Sequence, residues 1–135
     1  MIYNCALTVD CVVFSEDSVV LIKRKNPPFQ GCYALPGGFV EENESVELAC
    51  IREAHEETNL CLTNLIFIGA YSTPGRDPRG RVVSFAFLAE ADLNQLKAGD
   101  DASHAEIINN WQDVEIAFDH KKIIEEALKI RNGNR

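Results

Sequence analysis

The sequence predicts an α+β fold in which a mixed β-sheet is covered by helices. Segments with a strand-like pattern outnumber the helical ones, and the two helical segments lie in the middle and at the end of the chain. The chain has 135 residues, of which 46% are hydrophobic and 25% charged. These values predict one domain, residues 1–135, with a hydrophobic core of its own.

Strands are expected in the first third of the chain. Residues 3–14 alternate, with Val9 and Cys11 on one face, and residues 19–23 form a second apolar run. Two prolines at positions 27 and 28 end that run, because proline cannot donate to the hydrogen-bond ladder. The glycine pair at 37 and 38 then closes a short extended piece. It permits left-handed dihedral angles or a close approach of the backbone to a ligand.

The central stretch, residues 37–60, carries acids on an apolar helical face. In a helix that begins at about Val46, Glu53 and Glu57 fall on the same side as the apolar residues, with Glu56 at the margin. Burying several carboxylates together is costly, because like charges repel and desolvation raises the pKa of each. A divalent metal ion that neutralises them is therefore expected.

The second half continues with two β-prone segments and a final helix. Residues 62–71 and 81–91 read as long strands that should be neighbours in the sheet. Residues 97–105 are polar and read as a loop. The last helix is expected to begin after Asp119, its N-cap, and to stop at Gly133.

The composition also limits the partners of the protein. A formal net charge of -8 argues against a nucleic-acid groove, for which a basic face would be expected. No run of about 18 apolar residues is present to cross a membrane, and nothing resembles a signal peptide. Five cysteines without a CxxC pair favour reduced thiols. We expect a cytoplasmic protein with neither a nucleic acid nor a membrane as partner, and a homodimer stays open.

The central stretch resembles the Nudix box. Gly38, Glu44 and residues 52–60, REAHEETNL, fit the family pattern G-x5-E-x7-R-E-U-x-E-E-x-G-U, in which U is apolar. One position departs, because Asn59 stands where the family has glycine. Asparagine is the next most tolerant residue in the left-handed region after a helix, so the expected cost is about 1 kcal/mol or less.

The resemblance implies the Nudix fold, a mixed sheet sandwiched between helices. It also implies hydrolysis of a nucleoside diphosphate linked to another moiety, with Mg²⁺ or Mn²⁺ as cofactor. Hard divalent cations of this kind prefer oxygen ligands. The family's metal ligands fall on the Gly37 carbonyl and on the carboxylates of Glu53, Glu56 and Glu57.

The resemblance also assigns supporting and proton-transfer roles. Arg52 and Glu44 are implied to pair and to orient the loop and the helix. A carboxylate must accept a proton from the attacking water, and Glu53 can do so if it is not fully consumed as a ligand. The downstream alternatives are Glu90, which is also our candidate for a further metal ligand, and Asp100, Asp101 and Glu106. Each of these is open to the simpler interpretation of a solvated surface acid.

Weaker similarities point to one branch of the family. The segments ALPGGFVE, TPGRDPRGRVVSFAF and AFDHKKII resemble the ADP-ribose pyrophosphatases. Arg76, Arg79 and Arg81 are candidates to bind phosphate or ribose, since guanidinium groups bind such oxygens in a bidentate fork. A turn with solvated arginines is the alternative. Phe29, Tyr33 and Tyr71 are candidates to stack the base, with ordinary packing as the alternative.

The expected function is therefore metal-dependent cleavage of ADP-ribose to AMP and ribose 5-phosphate. Two alternatives stay open within the family. One is a pyrophosphohydrolase of nucleoside triphosphates or dinucleoside polyphosphates, for example one that removes oxidised dNTPs. The other is a non-catalytic ADP-ribose sensor, which the lack of a DNA-binding segment in the printed sequence disfavours.

Overall fold

The computed structural model describes residues 3–97 and 102–133, without the side chains of residues 102 and 103. Its helices are α1 (Val46–Thr58) and α2 (His120–Arg131). Its strands, in chain order, are β1 (Ala6–Val12), β2 (Phe14–Ser15), β3 (Ser18–Arg24), β4 (Tyr33–Ala34), β5 (Gly37–Phe39), β6 (Thr63–Tyr71), β7 (Val82–Glu90) and β8 (Ala102–Ile108).

The first sheet is mixed, as the sequence predicts. Its strand order is β5-β1-β7-β6. The central pair, β1 and β7, is parallel, whereas β5 and β6 pair antiparallel with their neighbours. The two long late strands, β6 and β7, are neighbours, which confirms that expectation. In the parallel pair Thr8 lies opposite Ser84. Asp10, two residues further along β1, is therefore within reach of the Ser84 hydroxyl.

The second sheet is built around β3. This strand pairs with β2 and β4 on one side and with β8 on the other, all antiparallel. The prediction of a loop over residues 97–105 is wrong at its end, because residues 102–105 belong to β8. Residues 102–105, ASHA, contain no β-branched or aromatic strand former, which concealed the strand, whose backbone pairs with β3 from Val19 to Arg24. Asp100 and Asp101 lie outside the described residues.

Two apolar cores lie on opposite faces of the first sheet. One core packs Ala49, Cys50 and Ala54 of α1 against residues of β1 and β7 that include Cys11 and Phe87. The other packs α2 against the opposite face, through Ile123, Ile124 and Ala127. The sheet is thus sandwiched between helices, which confirms the predicted fold class. In the described part of the chain neither helix is long and apolar enough to cross a membrane.

Side chains define both ends of α1. At the start, the Ser45 hydroxyl accepts a hydrogen bond from the Leu48 N–H at 3.2 Å. At the end, Asn59 adopts the left-handed conformation, with φ of 64°, and its backbone N–H donates to the His55 carbonyl. The Asn59 side-chain amide also donates to the Gln95 carbonyl at 3.0 Å. Asparagine therefore fills the place of the family's glycine and adds one contact of its own.

We expect Asn59→Ala to be less stable than the parent chain by about 1–2 kcal/mol, because alanine is strained in the left-handed region and lacks the amide. Asn59→Gly is the matched control, since it relieves the strain and loses only the amide contact. Urea unfolding of the three proteins measures the difference. An alanine variant as stable as the glycine variant would contradict this explanation of the helix end.

Candidate active site

Gly37 and Gly38 bring the backbone of β5 against neighbouring groups where a side chain has no room. A Cβ at Gly38 would lie 1.9 Å from the Glu53 carboxylate, and one at Gly37 would lie 2.0 Å from the Val9 carbonyl oxygen. Both glycines belong to β5, and neither has a positive φ. Close approach to β1 and α1, rather than left-handed geometry, is therefore the reason for glycine at these two positions.

Arg52 joins the acids of α1 to the preceding loop. Its guanidinium forms two hydrogen bonds to Glu44, at 3.0 and 2.6 Å, so the pair implied by the family resemblance is present. The same group contacts Glu53 at 2.6 Å, Glu56 at 3.1 Å and the Phe39 carbonyl at 3.0 Å. Hydrogen bonds from Arg52 hold the pKa of Glu44 below its usual value. The arginine thus balances several negative charges at once.

The third acid of the motif on α1, Glu57, is bound to the glycine strand. Glu57 is buried, and its carboxylate accepts a hydrogen bond from the Gly37 N–H at 2.7 Å. Glu53 is half-buried, and burial raises its pKa against the opposing effect of Arg52. These two carboxylates therefore lie beside the glycine pair, while Glu56 is at the exposed margin of the helix.

The donor set fits a hard divalent cation. Three carboxylates stand within five consecutive residues of one helix, next to a strand whose carbonyl oxygens are additional hard ligands. Within residues 3–97 and 102–133, no three His, Cys, Asp or Glu side chains already converge as a metal site. In this structure Arg52 forms hydrogen bonds to Glu53 and Glu56.

A cleft of about 100 Å³ opens beside the glycine pair. Its floor contains a buried chain of polar groups. The Leu35 N–H donates to Nδ1 of His120 at 3.0 Å, so the ring hydrogen lies on Nε2, which is 3.2 Å from an Asp10 oxygen. The other Asp10 oxygen accepts from the Ser84 hydroxyl. Burial raises the pKa of Asp10. The contacts with His120 and Ser84 lower it by a larger amount, so the pKa of Asp10 lies below its usual value.

The sequence pattern favours a surface or capping role for His120, and the structure corrects that expectation. His120 is buried and connects α2 to β1 and to the segment that carries the glycine pair. Asp119 also differs from expectation. Its side chain makes no capping hydrogen bond and instead pairs with Arg76.

Two of the three candidate arginines line the cleft. Arg76 binds Asp119 through two hydrogen bonds, at 2.9 and 2.6 Å. Arg79 binds the buried Asp77 through Nε and a terminal nitrogen, at 3.1 and 2.8 Å. Burial alone would raise the pKa of Asp77, but the bonds from Arg79 hold it below its usual value. Both guanidinium groups are thus fixed at the cleft wall by carboxylates.

The other sequence candidates lie outside the residues that line the cleft. Arg81 donates to the Ser72 carbonyl, and Glu90 accepts from the Asn64 amide at the end of β7. Phe29 packs edge-on against Phe118. Burial raises the pKa of Tyr33, and the neighbouring Glu106 raises it further. The structure therefore does not bring Arg81, Glu90, Phe29, Tyr33 or Glu106 together with the α1 acids.

Several cleft residues are absent from the sequence candidates. Asp10 and His120 form the floor, Phe39 and Phe118 supply rings, and Arg24 places its guanidinium over the Phe118 ring at 5.2 Å. Asp10 carried one available signal, because it is an acid inside an apolar strand. The segment AFDH, which contains Phe118 and His120, carried another through its family likeness. Nothing in the local pattern marks Arg24, which ends a strand as many surface arginines do.

The contact between Asp10 and His120 should couple their effects on stability. We expect Asp10→Ala and His120→Ala each to lower the free energy of unfolding by about 1–3 kcal/mol, because each leaves buried polar groups unpaired. The double variant should be less destabilised than the sum by at least about 0.5 kcal/mol. Urea unfolding of the four proteins gives this coupling energy. Strict additivity would show that the two side chains do not depend on each other.

The amino-acid sequence is closely similar to that of a named archaeal protein over most of the chain. The chain is 48% identical over 128 residues to an ADP-ribose pyrophosphatase of Methanocaldococcus jannaschii, an alignment that covers 95% of this chain and 76% of that protein.

Solved structures are also similar to this chain over most of its length. The NUDIX domain of Shewanella oneidensis NrtR, complexed with ADP ribose, superposes with a TM-score of 0.89 at 28% identity and covers 96% of this chain and 90% of that chain. A bifunctional NMN adenylyltransferase/ADP ribose pyrophosphatase of Francisella tularensis, complexed with AMP and a Mn ion, gives 0.84 at 29% identity. That alignment covers 97% of this chain and 42% of the larger one. The family model for the NUDIX domain matches residues 6–130, and the chain belongs to this family.

Proposed function

We propose that the chain is a Nudix pyrophosphohydrolase that cleaves ADP-ribose to AMP and ribose 5-phosphate with a divalent metal ion. The observation that carries the proposal is the cluster of Glu53 and Glu57 against the glycine strand, at the edge of a cleft that holds Arg76 and Arg79. Similarity to the M. jannaschii ADP-ribose pyrophosphatase over 95% of the chain supports the choice of substrate.

Glu53, Glu56, Glu57 and the Gly37 carbonyl are the groups that would hold the metal. When bound, a divalent ion neutralises diphosphate oxygens and makes a bound water more acidic. Mg²⁺ and Mn²⁺ both suit an all-oxygen donor set, and the similar F. tularensis structure contains a Mn ion. Arg52 keeps the acids in place beforehand, because its guanidinium spans Glu44, Glu53 and Glu56.

Glu53 is the best-placed acceptor for the proton of the attacking water. Its half-buried carboxylate lies against Gly38, and burial raises its pKa, which favours proton uptake at Oε. Glu90 is bound to Asn64 and Glu106 lies beside Tyr33, whereas the Glu53 carboxylate lies against the glycine pair. Asp100 and Asp101 lie outside the described residues.

The cleft arginines would orient the substrate. Arg76 and Arg79 are each held by a carboxylate, so their guanidinium groups are already positioned when the ligand arrives. Part of the charge of each is balanced by its partner, which reduces non-specific attraction of anions. Arg24 adds a third guanidinium, which donates to the Pro28 carbonyl, lies over the Phe118 ring and is attracted by the carboxylates of Glu57 and Asp77.

A sensor that binds ADP-ribose is the second candidate, since the similar NUDIX domain of S. oneidensis NrtR is complexed with ADP ribose. A sensor binds ADP-ribose without turning it over. The complete set of box acids argues for turnover, since binding alone does not need a base beside the metal ligands. We place the reaction in the cytoplasm, which the five unpaired cysteines support.

Product analysis on a substrate panel tests the proposal. With Mg²⁺ or Mn²⁺, ADP-ribose should give AMP and ribose 5-phosphate faster than a dNTP, an oxidised dNTP or a dinucleoside polyphosphate gives its products. Removal of the metal by a chelator should abolish turnover. Preference for a triphosphate would replace the substrate assignment, and tight ADP-ribose binding without any product would favour the sensor.

Charge-removing variants of α1 test the residue roles. We expect Glu53→Gln and Glu57→Gln to lower kcat by about a hundredfold or more, because each removes a carboxylate at the reacting centre. Glu47→Gln is the matched control, since Glu47 is an exposed acid in the first turn of the same helix. Full turnover by Glu57→Gln on every substrate of the panel would refute the metal-site assignment.

A further inference from the structure

Phe39 presents an exposed aromatic ring at the centre of the candidate site. The residue follows Gly38 directly, and its side chain remains 48% exposed. Its backbone carbonyl accepts a hydrogen bond from Arg52, which fixes the strand to the α1 acids. The position of the ring is therefore tied to the place where the diphosphate should bind.

One face of the Phe39 ring is covered by a cation. The Arg79 guanidinium lies 5.1 Å from the ring centroid, and the buried Asp77 holds that guanidinium by two hydrogen bonds. The attraction of this cation helps to hold the ring in place, and the 48% exposure of Phe39 leaves part of its surface open to a flat ligand. Phe39 and Arg79 together form a ridge.

The ridge separates two cavities. The cleft, of about 100 Å³, lies on one side, and a second, more open cavity of about 490 Å³ lies on the other. Phe39 and Arg79 line both. The second cavity continues to Asn4, Arg81 and Val82. A ligand that crosses the ridge can therefore place one moiety in each cavity while its centre passes Gly38.

The chemistry of the two cavities differs. The cleft contains Asp10, Glu57 and Asp77 together with Arg24 and Arg76, so it suits hydroxyl groups and charged oxygens. Among the described residues that line the second cavity there is no carboxylate. Its walls combine apolar surface with the side-chain amide of Asn4 and the guanidinium of Arg81. Such a cavity suits a nucleobase, which has an apolar face and a hydrogen-bonding edge.

We propose that the nucleobase of the substrate stacks on the open part of the Phe39 ring and lies in the second cavity, with Asn4 and Arg81 near its edge. The diphosphate then crosses the ridge beside Gly38, and the second moiety of the substrate enters the cleft. This inference rests on the proposed function only in requiring a nucleoside diphosphate group. It gives Arg81 a place at the base, away from the phosphates.

The three aromatic residues named from the sequence are less suitable for this role. Tyr71 is buried, and its hydroxyl donates to Glu126. The Phe29 ring packs against Phe118 with centroids 4.8 Å apart. The Tyr33 ring lies below the Lys23 ammonium group, and neither Phe29 nor Tyr33 lines either cavity. Phe118 lines the cleft, but Arg24 and Arg79 both lie over its ring. Phe39 is thus the ring that combines exposure with a position beside the glycine pair.

The test compares two ligands that differ only in the base. Calorimetry with Mg²⁺ gives the affinities of ADP and of ribose 5-diphosphate for the parent chain, Phe39→Leu, Phe39→Trp and Phe67→Leu. The loss of an aromatic platform typically weakens stacking by a factor of about 5 to about 150. We expect Phe39→Leu to lose ADP affinity within that range and to keep its affinity for ribose 5-diphosphate. Phe39→Trp should retain the preference for ADP.

Phe67→Leu is the matched control. Phe67 is a similarly exposed phenylalanine, at 43%, on β6 at the opposite edge of the sheet. Its replacement should leave both affinities unchanged. Thermal unfolding confirms that each variant is folded before titration.

Three results would overturn the inference. They are an unchanged ratio of the two affinities in Phe39→Leu, equal binding of both ligands by the parent chain, and loss of ADP preference in Phe29→Leu with Phe39→Leu unaffected. The ratio is a binding measurement and needs no turnover. Failure of the proposed ADP-ribose hydrolysis, which product analysis detects, is therefore distinguishable from failure of the base site.

Discussion

Charge balance on the buried side of α1 is the constraint on which the site depends. Glu53 and the buried Glu57 face a strand of glycines, and burial raises the pKa of Glu53. In this structure the Arg52 guanidinium contacts Glu53, and the Gly37 N–H donates to Glu57. Under the proposed function, a metal ion would take over from the guanidinium and keep the acids ionised. The proposed metal ligands are therefore also part of the network that holds α1 to the preceding loop.

The glycine strand brings the backbone of β5 close to the charged groups of α1. Without side chains at Gly37 and Gly38, β5 lies against both the Val9 carbonyl and the Glu53 carboxylate. The floor residues Asp10 and His120 hold the segment before it, since His120 accepts from the Leu35 N–H. The strand is therefore fixed from β1, α1 and α2, which allows a backbone carbonyl to act as a positioned ligand.

The sequence predicts the parts of the fold that have a strong local pattern. The mixed sheet, the pairing of β6 with β7 and the start of α1 follow from periodicity and end signals, and the spacing of the Nudix box identifies the acids. Strand β8 is hidden because residues 102–105 contain no β-branched or aromatic strand former, although their backbone pairs with β3. The roles of His120, Asp119 and Arg24 depend on contacts between distant segments, such as the Asp119 bond to Arg76, which no local pattern records.

The metal-binding role of α1 is the central claim, and Mn²⁺ binding followed by electron paramagnetic resonance tests it most directly. The parent chain should bind the ion, and replacement of Glu53, Glu56 or Glu57 by glutamine should weaken binding by about tenfold or more, because each removes a charged oxygen ligand. Equal Mn²⁺ binding by the parent chain and all three variants would contradict a metal site on this helix.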